Sequence, residues 1–176
     1  AATPPSAKGS FRPGPGDHWL AVREPGGNLA LRLFVPPGPP RPRPLVVALH
    51  GTGMNEHYFF DHTGLSMLAE ARRRGWVIVA PRQTGDFGTT TRIVERTLAA
   101  LAQLPGLDTS RVFLVGHSAG ATDALVAGAS PIPGLQPVAA LAPAPAPQSV
   151  VPATVPVFIA VGSDDIAFVR ATTDRT

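Results

Sequence analysis

From Leu45 onward the chain alternates between two kinds of segment. Short, unbroken apolar runs stand at LVVAL (45–49), WVIVA (76–80), VFLV (112–115), VAALA (138–142) and VPVFIAV (155–161). A run with no polar face suits a strand covered on both sides, as in a parallel sheet. Between these runs the apolar residues recur at helical spacing. One such segment spans about 63–74, with Leu65, Leu68 and Ala69 as its stripe and Gly75 at the C-cap. A second spans about 90–104, with Ile93, Val94, Leu98, Leu101 and Leu104 on one side, and a third begins at about Ala119. The alternation predicts an α/β domain: a mostly parallel central sheet with helices on both faces. Right-handed crossovers then gather the strand C-terminal ends along one edge, where the sites of such folds form.

Two short strands precede this pattern, at about 18–23 and 29–35, joined by the turn Pro25-Gly26-Gly27-Asn28. The second alternates, so that Leu29, Leu31, Leu33 and Val35 share one face. PPGPPRPRP (36–44) reads as an extended surface connector. Residues 1–16 are small, polar and proline-rich, which predicts a flexible N-terminal tail and leaves 17–176 as the domain. A start at Ala-Ala-Thr fits a processed, exported N-terminus, secreted or periplasmic, and fits a trimmed cytoplasmic chain equally.

Composition narrows the choice of function. The 176 residues are 44% hydrophobic and 15% charged, which suffices for a core and argues against global disorder. The 18 glycines and 21 prolines follow no G-X-Y period, so a collagen-like chain is excluded. A net charge of +3 carried by scattered basic residues does not suit a nucleic-acid surface. The triple-arginine run at 72–74 falls in the last turn of a helix, where solvated cations complement the dipole. With no cysteine there is no disulfide framework, thiolate metal site or cysteine nucleophile. No apolar run approaches the ~18 residues of a membrane span.

Three clusters at strand ends carry the candidate chemistry. Gly116-His117-Ser118-Ala119-Gly120 matches G-x-S-x-G directly after the run VFLV and before a small-residue helix. That context is the strand–turn–helix of a nucleophile elbow. Gly116 and Gly120 leave room for the tight turn, and Ser118 is raised above the sheet edge at a helix N-terminus. His50-Gly51-Thr52-Gly53 follows LVVAL. A glycine loop there can aim the Thr52 N–H at the same point as the Ala119 N–H, giving an oxyanion hole of two donors. His50 reads as a packing residue of that turn, and His117 as a pocket or packing residue beside the serine. Gly162-Ser163-Asp164-Asp165 follows VPVFIAV, and a carboxylate at this strand end could orient a catalytic histidine. Asp165 is preferred to Asp164.

Taken together, LVVALHGTG, TGLSMLAEARRRGWVIVAP, LDTSRVFLVGHSAG and VPVFIAVGSDD resemble an α/β-hydrolase over about residues 44–165. More narrowly, they resemble an esterase of the polyhydroxybutyrate-depolymerase or feruloyl-esterase kind. The resemblance implies Ser118 as nucleophile, Asp165 as triad acid through Gly-x-x-Asp, and Thr52 and Ala119 as oxyanion donors. It implies a cofactor-free reaction on a small-molecule or polymeric ester, and export. Only about a dozen residues (APAPAPQSVVPAT) separate the last two runs, too few for a cap domain, so an open site is expected.

One member of the family's triad is missing from its expected place. The histidine should follow the acid, yet the eleven residues after Asp165 contain none; the five histidines stand at 18, 50, 57, 62 and 117. The favoured expectation is a fragment that lacks the family's last strand and helix together with the base. A triad lacking its base loses on the order of a million-fold in turnover, so such a fragment would be nearly inactive. The alternatives are substitution by His57 or His62, or a noncatalytic binding protein on the same fold; acyl transfer to another acceptor also fits the same residues. His57, Asp61 and His62 lack one-face helical spacing, so no metal site is expected there.

Overall fold

In the computed structural model, residues 13–24, 27–39, 41–62, 65–83, 90–144 and 155–165 are described. The elements in chain order are β1 (Gly16–Glu24), β2 (Gly27–Val35), β3 (Arg43–Leu49), a π-helical turn (Tyr58–His62) and α1 (Leu65–Arg74). They continue with β4 (Val77–Pro81), α2 (Thr90–Leu101), β5 (Leu107–His117), α3 (Ala119–Gly128), β6 (Leu135–Leu141) and β7 (Val157–Ala160). The strands form one sheet in the order β1-β2-β4-β3-β5-β6-β7. The pairs β1–β2 and β2–β4 are antiparallel, and the other four are parallel.

The strand order explains where a site can form. From β3 the chain steps outward to β4, then crosses back to place β5 on the other flank of β3. The crevice between the β3 and β5 C-terminal ends is therefore a topological switch point. Leu49 is in register with Gly116, so the His50 loop and the Gly116–Gly120 turn emerge side by side.

The unbroken apolar runs do pack on both faces. Leu45, Val47 and Leu49 join Leu29, Leu31, Leu33 and Val35 in one core, closed by Ile93 and Val94 of α2 and Ala124 and Ala127 of α3. Val46 and Ala48 point the other way, with Ile78 and Ala80, against Phe59, Phe60 and the α1 residues Leu68 and Ala71. So α2 and α3 cover one face, and α1 with the π-helical turn covers the other.

Three expectations from the pattern are corrected. The second helix ends at Leu101, not 104: Leu104 precedes Pro105, which disfavours helical geometry, and the chain closes in tight turns with Leu104 N–H on the Leu101 carbonyl. Leu104 keeps its core position. The last apolar run is not covered on both faces: Val157 and Phe158 are exposed, Phe158 at 61%. Strand β7 is outermost among the described residues, so no neighbour covers its far side. Residue 16, placed in the tail, instead opens β1. The rest of the expected tail up to residue 12, and residues 145–154 of the expected cap-free loop, lie outside the described residues.

Two buried arginines hold segments the hydrophobic pattern could not place. Arg43 donates to the carbonyls of Pro36, Gly38 and Pro39, folding the proline connector back on β3. Arg32, on β2, is 8% exposed. It donates to Asp17 at 2.7 Å and to Asp61 at 2.7 Å, and lies 4.5 Å from the Phe60 ring centroid. It thereby ties β1, β2 and the π-helical turn into one unit. The arginines at 72–74 behave as a solvated helix end: Arg73 and Arg74 pair with Glu70 on the exposed helix surface, where such pairs add little to stability.

Breaking a buried ion pair from one side costs about 3–5 kcal/mol, and the half-exposed partners of Arg32 lower that figure. Arg32→Ala should therefore destabilise the fold by about 2–3 kcal/mol in urea denaturation, and Arg73→Ala should leave the urea midpoint close to that of the wild type.

Candidate active site

The G-x-S-x-G segment adopts a strained turn at the end of β5. Ser118 has φ 55 and ψ −123, a conformation that L-residues avoid, and its side chain makes no capping hydrogen bond to α3. The serine is not an ordinary helix cap. Its hydroxyl has no hydrogen-bond partner among the described residues. The turn is fixed instead by main chain: Ser118 N–H donates to the Leu141 carbonyl at 3.0 Å, and the Ser118 carbonyl accepts from Ala121, Thr122 and Ala144.

The two elbow glycines are needed for space. A Cβ on Gly116 would overlap the Gly120 carbonyl, and one on Gly120 would overlap the carbonyls of Leu49 and His50. Main chain from β3, β5 and α3 meets here with no side chain between. Gly51 is nearly as crowded, since a Cβ there would lie 3.0 Å from the Ser118 Cβ. The His50–Gly53 loop thus abuts the serine directly. It turns through a Met54 N–H to Gly51 carbonyl bond, with Gly53 at φ 76. The N–H groups of Thr52 and Ala119 are unclaimed among the described residues. Such donors beside a nucleophile can hold a developing oxyanion, where one donor is worth about 2.7–4 kcal/mol.

His50 is 6% exposed and wedged beneath this loop. Its Nδ1–H donates to the Gly51 carbonyl at 2.9 Å, and its Nε2 accepts the Gln83 N–H at 3.1 Å. Both nitrogens are therefore committed in one tautomer. Burial pushes its pKa down and keeps it neutral, against the opposing influence of the Gly51 carbonyl and Glu56. His117 stacks on Tyr58, with ring centroids 5.2 Å apart. Burial lowers its pKa too, while the Asp165 charge acts to raise it. Asp165 N–H closes a turn onto the Gly162 carbonyl, and Asp164 is exposed.

The remaining histidines face elsewhere. His57 Nδ1 accepts from Arg32 at 3.2 Å, and its ring lies 4.3 Å from that of Trp19. Asp61 meets the same guanidinium, so a cation already stands between the residues considered as metal ligands. His18 bonds the Gly14 carbonyl at 2.7 Å. The side chain of His62 lies outside the described residues. Among the described residues, no histidine hydrogen-bonds Ser118.

Sequence reasoning passed over Tyr58, the Ala142–Ala144 wrap around the serine, and the pair Gln83 and Asp123. Ala142 takes φ 48, and Thr122 Oγ1 donates to the Ala144 carbonyl at 2.6 Å, so this wrap is specified by geometry that no motif carries. Asp123 did leave a signal: it is the one charged residue in α3 (AGATDALVAG).

With this geometry in view, the comparisons with known proteins are informative. The model of the alpha/beta hydrolase family matches residues 46–175, and the chain belongs to that family. Among solved structures it resembles a dienelactone hydrolase from Anabaena variabilis, at 20% identity over 92% of this chain and 79% of that one, with a TM-score of 0.69. A thermostable esterase gives a TM-score of 0.68 at 16% identity, over 90% of this chain and 49% of that one. An S-formylglutathione hydrolase from Staphylococcus aureus gives 0.63 at 15% identity, over 73% of this chain and 57% of that one. At these identities the likeness is one of fold. The chain spans little more than half the length of several of these neighbours. No curated protein matches it. No helix among the described residues is long and apolar enough to cross a membrane.

The strain at Ser118 is testable. Glycine tolerates the same φ, so Ser118→Gly should raise stability by about 1–2 kcal/mol in thermal denaturation. Gly120→Ala should do the opposite and lose at least about 3 kcal/mol, because the clash is with main chain.

Proposed function

We propose that the protein is a serine-dependent carboxylic ester hydrolase that works through an acyl-enzyme. One observation carries the reading. Ser118 is held at φ 55 with its hydroxyl uncommitted among the described residues, beside the N–H groups of Thr52 and Ala119, which none of those residues claims. Fold neighbours that are esterases and hydrolases support it.

In this reading a histidine takes the Ser118 proton as Oγ attacks the ester carbonyl. The oxyanion of the tetrahedral intermediate accepts from Thr52 and Ala119 N–H. The intermediate expels the alcohol, which leaves with the proton held by the histidine. Water, deprotonated by the same histidine, attacks the acyl-enzyme, and the carboxylic acid departs as Ser118 recovers its proton. Asp165 orients the histidine. The family order of nucleophile, acid and histidine puts the base after the acid in this reading. The substrate class is a short-chain or polymeric ester reached through an open site, in an exported enzyme of the polyhydroxybutyrate-depolymerase or feruloyl-esterase kind.

A second reading, a noncatalytic binding protein, draws on the commitment of His57 to Arg32 and Trp19. A fluorophosphonate probe separates the two in the protein at its natural length. The hydrolase reading expects labelling of the wild type and loss of at least about a hundredfold in Ser118→Ala. Equal labelling of both proteins, or none of either, rejects it in favour of binding.

A further inference from the structure

Helix α3 follows the serine turn and is made of small and apolar residues apart from one carboxylate, Asp123. Asp123 is 7% exposed. Its Oδ2 accepts from Gln83 Nε2 at 2.7 Å. Among the described residues its Oδ1 is buried without a hydrogen-bond partner, and so is Gln83 Oε1, the remaining oxygen of the same amide. Two groups joined by one hydrogen bond thus each carry a buried, unsatisfied acceptor. Leaving two such acceptors dry is costly, and native structures rarely do so without reason. A single proton removes both deficits, because a carboxylic acid and a primary amide form a cyclic pair with two parallel hydrogen bonds.

We propose that Asp123 is held as the neutral acid, its Oδ1–H donating to Gln83 Oε1 while Gln83 Nε2–H donates to Oδ2, and that this pair positions the oxyanion loop. The positioning runs through the other end of Gln83. Its backbone N–H donates to His50 Nε2, which leaves His50 Nδ1–H for the Gly51 carbonyl, and Gly51 abuts Ser118. The catalytic consequence rests on the reading of Ser118 as nucleophile; the pair and its hold on His50 do not.

The electrostatic setting favours the protonated acid below about pH 6. Burial pushes the Asp123 carboxyl up to about 6, against the smaller opposing pull of the Thr90 hydroxyl and the Gln83 amide. No charged side chain of α2, β3, β5 or β6, the elements packed on α3, contributes to that shift. The titratable group next along the relay is His50, kept neutral by burial, with Glu56 and Arg82 acting on it in opposite senses. An acid raised in the folded state favours folding while protonated. Its contribution is full below the ordinary value of 3.8 and is lost as pH rises through about 6.

The test begins with measurements that need no catalysis. In carbon-13 NMR of carboxyl-labelled protein, the resonance missing from Asp123→Asn should titrate near pH 6; titration at or below about 4 overturns the pair. Stability measured from pH 4 to 7 should decline in wild type relative to Asp123→Asn, whose amide restores the second hydrogen bond at every pH. Parallel curves overturn it. The His50 ring nitrogen-15 shifts should move in Asp123→Ala and stay close to wild type in Asp123→Asn; unmoved shifts in both overturn the positioning. If Asp123→Ala does not fold, Gln83→Leu with the same readout replaces it. In the natural-length protein assayed at about pH 5, where the pair is protonated, Asp123→Ala should lower kcat for ester hydrolysis about tenfold with KM within about twofold, and Asp123→Asn should recover most of the loss. Absence of hydrolysis in wild type counts against the proposed function alone, and the NMR arms then decide the pair.

Discussion

The whole site depends on a place where three stretches of main chain touch. Gly116 and Gly120 bring the β5 turn and the first turn of α3 against the carbonyls of Leu49 and His50 at the end of β3. No side chain fits in this contact. Because the strands on either side are locked in register from Leu45 to Leu49, the contact is set by the sheet itself. Ser118 follows from it: with its neighbours pinned, the residue between them has to turn through a conformation that other residues avoid. The strained turn at Ser118 is thus a product of backbone crowding, held by the parallel core beneath.

Two polar systems hold the flanks of this contact. On one side Arg32 gathers Asp17, Asp61 and His57 beneath the aromatic rings of Phe60 and Trp19, fixing the segment that follows the His50 loop. On the other side His50, Gln83 and Asp123 link the loop to the end of β4 and to α3. The two differ in kind. Arg32 is a permanent cation, held charged by its two carboxylate partners. The Asp123 system is nearly neutral and responds to a single proton. A rigid tether and a titratable one therefore brace the same loop from opposite sides.

The architecture was legible because burial on both faces leaves unbroken apolar runs, and alternation in β2 placed Leu29, Leu31, Leu33 and Val35 together. Strand ends were legible for the same reason, and they located the His50 loop and the Ser118 turn that meet. One error was local and the other tertiary. Leu104 has helical spacing, yet Pro105 stops the helix before it. VPVFIAV reads like an interior strand, yet β7 lies outermost among the described residues. Polar tethers were illegible, because nothing local marks Arg32 as buried or pairs Gln83 with Asp123 forty residues on. Their partners meet only once the sheet order is known.

The register of Leu49 with Gly116 also bears on how the protein comes to be folded. These residues are distant in sequence, and their pairing encloses α1, β4 and α2 in a single loop. Contacts of such long range form late, after most of the chain entropy has been surrendered. The loop and the serine turn therefore acquire their geometry only when β5 docks on β3, together with the core. A half-folded chain would carry both motifs and yet hold neither in reach of the other.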